Sequence, residues 1–301
     1  GGSIRIPAAL NGVFGLKPTF GRVSRAGDGF KGSVAHAGPI GASAADLVAA
    51  LDVTASELDR DDELTLWASP PPEGGFGARF PAGVRGMRFG VPEAEWADAS
   101  DPVARAGRAA LAALEKEGAV LVPVSMPLAK NAAPIGYFSI GAEARAASRE
   151  AWETRRDLLA DDLRISYAVI AGITAVELVD AQRLRTALRH EVASVLRDVD
   201  VIAMPTTVTT APTLPDVDRF STFSDPTALD AMCRFAFLGN LTGLPAGTAP
   251  IGEDADGLPI GLQIVGDAWQ EHTVLGVLAH LERAGVARVK RSPWAIDLVA
   301  E

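Results

Sequence analysis

The chain has 301 residues, 48% of them hydrophobic, enough for a sizeable core in one large domain or two small ones. Its 28 Lys and Arg stand against 38 Asp and Glu, a net charge of −10 that makes nucleic-acid phosphates and anionic membranes poor partners. A single cysteine, Cys233, excludes an internal disulfide framework and a multi-cysteine metal site, and no apolar run approaches the roughly 20 residues of a membrane span.

The chain opens Gly1-Gly2-Ser3 with neither a Met nor a signal-peptide pattern, so either upstream sequence is missing or processing has removed it. Cysteine usage alone points to a reducing compartment, and the expected location is cytoplasmic. Residues 1–42 are Gly-rich and apolar, with β-like pieces at 13–16 and 21–24. Ser43 to Asp46 reads as a capping box before Leu47, Val48 and Leu51, one face of a helix. The acidic stretch from Glu57 to Glu63 and the Pro70-Pro71-Pro72 run make 55–85 a long loop.

An alternation of strands and helices follows. Residues 87–91 predict a strand, and Asp101-Pro102 starts a helix that buries Val103, Ala110, Leu111 and Leu114 and ends at Gly118. Residues 120–124 predict the next strand, and 138–160 a helical region. Thr174 and Glu177 form a second capping box, opening a long helix with Leu184, Leu188, Val192 and Val195 on one face. A short strand at 201–204 ends at Pro205. Ser224-Asp225-Pro226 starts a helix through about Phe237. Residues 247–251 and 260–265 read as paired strands joined by a polar turn at 253–257. The last helix spans 270–283, with Gly285 after it. This order implies an α/β fold on a mixed or mostly parallel sheet. No linker cleanly divides the chain, and one domain over 1–301, truncated at its N-terminus, is expected.

By itself, Gly1-Gly2-Ser3 is a flexible loop or a helix cap. Chemically it could also hold a serine nucleophile, with glycine N–H groups ready for a tetrahedral oxyanion. The wider context discriminates. Residues 1–24, GGSIRIPAALNGVFGLKPTFGRVS, resemble the signature segment of the amidase signature family nearly residue for residue. His36 to Asp46 is similar to that family's Gly-Pro segment before a helix. Ala203-Met-Pro-Thr-Thr207 resembles its strand-end Pro-Thr. Asn240 to Ala246 and Gly257 to Gln263 resemble its C-terminal landmarks.

The resemblance implies a mixed β-sheet core covered by helices on both faces, and a Ser–cis-Ser–Lys triad that hydrolyses a carboxylic amide through an acyl-enzyme. Ser3 would be the nucleophile, and Gly1 and Gly2 the oxyanion donors. Arg5 would be structural, paired with an acidic residue just before the glycines. The lysine and the cis-serine would lie ahead of Gly1, so 1–301 alone is expected to be inactive. Thr206, Thr207 and Phe138 are candidate substrate-pocket residues, with Thr206 expected near Ser3. The expected partner is a small-molecule amide, with no nucleic acid and no membrane, and a homodimer is allowed. No metal or organic cofactor is implied.

Two alternatives stay open. One is the A-type component of glutamyl-tRNA(Gln) amidotransferase. Its pattern has an Asp seven positions before the Asn of the Asn-Leu-Thr-Gly-Leu-Pro segment, where this chain has Cys233. The other is a catalytically inactive truncated product. Remaining features read as structural. Lys17 lacks the phosphate-loop spacing, no GxSxG elbow occurs, and the four histidines show no metal-ligand spacing. Asp59, Asp61 and Asp62 read as a solvated loop, and Cys233 as a buried core thiol.

Overall fold

The computed structural model describes residues 1–27, 32–55, 58–213 and 225–290. Ser224 and Glu57, invoked above as a helix start and the first residue of an acidic stretch, lie outside them. In chain order the elements are α1 (Arg5–Leu10), β1 (Phe14–Lys17), β2 (Ile40–Gly41), α2 (Ala44–Thr54), β3 (Arg88–Pro92), α3 (Glu93–Asp98), α4 (Asp101–Lys116) and β4 (Val120–Val124). Next come α5 (Ala132–Ala147), α6 (Arg149–Thr154), α7 (Asp161–Ile170), α8 (Ala175–Val195), β5 (Val201–Pro205), α9 (Pro226–Cys233) and α10 (Ala236–Thr242). The last are β6 (Ala246–Glu253), β7 (Pro259–Gly266) and α11 (Glu271–Arg283).

Among the described residues seven strands form one mixed sheet in the order β2-β1-β6-β7-β5-β3-β4. Only β3–β4 and β3–β5 pair in parallel; the other pairings are antiparallel. The β6–β7 pair is the hairpin read from the sequence. The Asp254 carboxylate accepts from the Asp256 and Leu258 N–H groups and shapes its turn.

Side-chain alternation along β5 builds a core on each face of the sheet. Val201 and Ala203 join Leu47 and Leu51 of α2, Leu111 and Leu114 of α4, and Leu275 and Leu278 of α11. Ile202 and Met204 join Ile135 of α5, Leu188 and Val192 of α8, and Phe237 and Leu241 of α10. Helices therefore cover both faces, as the α/β reading expects.

Several boundaries differ from the sequence reading. Residues 21–24 are a turn, because Gly21 (φ +86°) packs under the Leu64 carbonyl, where an added Cβ would come within 2.9 Å. Helix begins at Ala132 rather than near 138 and is interrupted after Ala147 and again after Thr154. The helix expected through Phe237 breaks between α9 and α10. On α8, Leu184 is 46% exposed, and the buried face runs through Ala181, Arg185, Leu188 and Val192. Arg185 turns inward because Leu241 O and Ser33 O accept its guanidinium protons at 2.9 and 2.8 Å. The short helices α1, α3 and α7 were not foreseen. Cys233 is half-buried rather than fully buried, at the end of α9.

Candidate active site

The turn Gly1–Ile4 enters α1, a helix that lies across β1, β6 and β7. Pro7 in its first turn suits a helix start. Ala9 packs where Gly261 of β7 lacks a side chain; an added Cβ would stand 2.6 Å from it. Neither leading glycine has room for a Cβ. At Gly1 it would enter the Phe237 ring. At Gly2, with φ of +131°, it would strike the Ile6 side chain and come within 2.8 Å of Ala236 Cβ. Gly2 O accepts from Ile6 N at 2.8 Å, tying the turn to α1.

Ser3 is exposed. It lines a pocket of about 140 Å³ together with Gly1, Gly2, Arg5, Lys17, His36 and Asn240. Beneath the turn, Arg5 is fully buried and its partners are neutral. It donates to Gln263 Oε1 on β7, to Asn240 Oδ1, and to Ala236 O at 2.8 Å. Burial pulls its pKa down to about 9, which leaves it charged at neutral pH. Arg5 thus bolts the serine turn to the sheet and to α10 with charge-assisted hydrogen bonds.

Lys17, at the end of β1, is 1% exposed, and its Nζ donates to Pro18 O at 2.8 Å. Burial, and after it the Arg5 charge, hold its pKa well below the usual lysine range, against the pull of Glu271. His36 Nδ1 lies 2.9 Å from Val34 O, an acceptor, so this nitrogen carries the proton. Burial, then the Lys17 charge, keep the ring neutral. Asn240 Nδ2 donates to Val34 O at 2.8 Å and closes this wall.

The structure therefore brings Ser3, Gly1, Gly2 and Arg5 together. Thr206, Thr207 and Phe138 are not among the residues lining this pocket. Thr206 is fully buried, its Oγ1 2.6 Å from Thr248 Oγ1 and its N–H on Gly261 O, beside the glycine of β7 against which Ala9 of α1 packs. Thr207 donates to Thr209 O at 2.7 Å, and Phe138 is 39% exposed on α5. Lys17, His36 and Asn240 escaped the sequence reading as site residues. Each stands in a segment already singled out, and that membership was the only signal available.

No helix among the described residues is long and apolar enough to cross a membrane, and none of their His, Cys, Asp and Glu side chains cluster as metal ligands. A family model described as Amidase matches residues 1–275. The chain is 35% identical over 304 residues to the A-type component of glutamyl-tRNA(Gln) amidotransferase from Chloroflexus aggregans, covering 92% of this chain and 60% of the relative. It is 34% identical over 300 residues to an amidase of Pseudomonas putida, covering 98% and 61%. The structure of the corresponding amidotransferase component from Thermotoga maritima superposes with a TM-score of 0.78 at 29% identity, over 96% of this chain and 64% of that one. A chain of a vestigial complex tied to the origins of an s-triazine catabolic enzyme gives 0.83 at 27% identity, over 96% and 62%. The chain thus spans about 60% of the length of the curated relatives it matches.

Proposed function

This chain belongs to the amidase family, and from that premise we propose that it carries the nucleophile of a hydrolase that cleaves carboxylic amides through an acyl-enzyme. The supporting observation is Ser3 itself, exposed at the wall of a small pocket, on a turn whose two leading glycines admit no side chain. Ser3 Oγ attacks the amide carbonyl while its proton passes to a relay serine and on to a neutral lysine. In the family pattern both of those groups precede Gly1. Backbone N–H groups of the Gly1–Gly2 stretch hold the oxyanion. The C–N bond then breaks, the departing nitrogen takes the proton, and ammonia or an amine leaves. Water hydrolyses the resulting ester, releasing the acid and restoring Ser3. Arg5 positions the turn from beneath through its hydrogen bonds to Gln263, Asn240 and Ala236.

A second reading, the A-type component of an amidotransferase, draws support from relatives carrying that name. The half-buried Cys233 stands where that component's pattern has an Asp. A thiol offers neither the charge nor the paired acceptor oxygens of a carboxylate, so the amidase reading is preferred.

The test uses the complete gene product. A fluorophosphonate should label it, with the adduct mapping to Ser3. Ser3→Ala should abolish labelling and turnover, whereas Cys233→Ala should leave turnover largely intact. Full turnover in Ser3→Ala would overturn the nucleophile assignment. Purification in a complex with glutamine-dependent amide transfer would favour the second reading.

A further inference from the structure

A second pocket, of about 510 Å³, opens between α3, the start of α5, α9 and the end of β5. It shares no lining residue with the Ser3 pocket. Its floor is apolar, formed by the buried side chains of Ala129, Met204, Phe235 and Leu238. Its charged groups are unevenly satisfied. Arg234, in the wall, is held by two carboxylates, Asp98 Oδ2 and, at 2.5 Å, Asp230 Oδ2. Glu95 is different. It lines the same pocket at only 8% exposure, and its Oε2 is buried with no hydrogen-bond partner.

A buried carboxylate oxygen without a donor is costly, and native structures ordinarily satisfy such groups. Burial pushes the Glu95 carboxyl up, and Glu191 and Asp98 add to the push, against the pull of its own backbone N–H. Among the described residues no cation pairs with Glu95: Arg234, in the same wall, is held by Asp98 and Asp230. Lys130, also in the wall, is exposed and forms no ion pair with it among the described residues. Among the described residues no three His, Cys, Asp or Glu side chains are arranged to hold a hard metal ion, and Asp98 and Asp230 are taken by Arg234. An anion would be repelled by Glu95. An ammonium group on an alkyl chain meets both halves of the pocket, and the volume lies in the range of small-molecule sites.

We propose that this pocket binds a small organic ammonium ion, its head on Glu95 and its alkyl chain on Met204, Phe235 and Leu238. The inference does not depend on Ser3 being a nucleophile. Ammonium N–H donors on a carboxylate form charge-assisted bonds, and the apolar floor takes the chain out of water.

The probe is n-butylammonium chloride, titrated calorimetrically into the complete gene product, with n-butanol and sodium chloride as comparisons. Butylammonium is expected to bind in the millimolar range. Glu95→Gln should weaken it by about tenfold or more, the scale of a lost charged hydrogen bond, and n-butanol should be weaker by a similar factor. Ala97→Trp, at an exposed lining position, should fill the pocket and remove binding while leaving the carboxyl in place. That variant and the alcohol comparison keep the test decisive should Glu95→Gln fail to fold. Equal affinity in wild type and either variant would overturn the proposal. So would no binding by the wild type up to tens of millimolar, as when the pocket is filled by the protein itself.

Discussion

Arg22 Nη2 stands 3.2 Å from Glu271 Oε2, with the two side chains 2% and 0% exposed, and the pair joins the Gly-rich N-terminal segment to the first residue of α11. Glu271 Oε1 also accepts from Thr19 N at 2.9 Å, and the Arg22 guanidinium lies 4.7 Å from the Trp269 ring centre. Removing one partner from a buried pair leaves the other charge uncompensated, at about 3–5 kcal/mol. Glu271→Gln should therefore destabilise the protein by about 3 kcal/mol, read from the urea midpoint. A change within experimental error would show the pair to be dispensable.

The same carboxyl sets an acid limit on stability. Burial alone would raise its pKa, but the Arg22 charge and the Thr19 hydrogen bond outweigh burial, and the net shift is downward. Its folded pKa thus lies below its unfolded one. The stabilisation is complete above the unfolded value of about 4.3 and drains away as pH falls through the folded value. Urea midpoints of wild type and Glu271→Gln should differ at pH 7 and draw together below about pH 4. A gap that persisted unchanged at pH 3 would contradict the assignment.

Gly2→Ala should cripple the Ser3 turn. The φ of +131° is strained for alanine, and the new methyl would meet Ile6 and Ala236. Backbone strain of about 1–3 kcal/mol, or a shift of the turn to relieve it, should appear as a lower melting temperature. Fluorophosphonate labelling of Ser3 in the complete gene product should fall more than tenfold. Unchanged labelling would mean that the turn tolerates a side chain.

The proposed triad draws two of its three groups from outside residues 1–301. Triad members act as a unit, and losing them costs on the order of 10⁶ in rate, whereas a single oxyanion donor contributes only about 10²–10³. Residues 1–301 expressed alone should show no Ser3-dependent hydrolysis of a panel of amides and anilides. Turnover of about 1 per second or more, lost in Ser3→Ala, would show that the base lies within this chain, with Lys17 and His36 the first groups to test.

Thr174→Ala should cost about 1 kcal/mol, the usual worth of a helix N-cap. Both arms of the capping box are formed: Glu177 N donates to Thr174 Oγ1 at 3.2 Å, and Thr174 N to Glu177 Oε2 at 2.8 Å. Hydrogen exchange should quicken in the first turn of α8 with little change at Leu188 and Val192. Uniform loss of protection along the helix would indicate a wider role.

Where local chemistry decides, the residues could be read directly. The strand Val120–Val124, the helix from Asp101-Pro102 and the capping box of α8 announce themselves, because their signals sit within a few positions of the element they specify. Helix α1 was hidden, because it is only six residues long and Gly1-Gly2-Ser3 ahead of it reads as a loop as readily as a helix cap until the sheet beneath is in view. Leu184 looked inward by periodicity, yet Arg185 took the buried face because Leu241 and Ser33 offered acceptors that no local pattern reveals.

By itself the sequence determined the family, the alternation of strands and helices, and Ser3 as the residue to test, since an ordered run of 24 residues leaves little room for coincidence. Only the tertiary structure decided what surrounds that serine. Lys17, His36 and Asn240 reach one small pocket from β1, from the stretch before β2 and from α10, while Thr206 is buried beside Gly261 of β7. The physical reason is that a pocket is built from side chains far apart in the chain. Sheet order and helix packing set their distances, and no pattern within one segment carries that information.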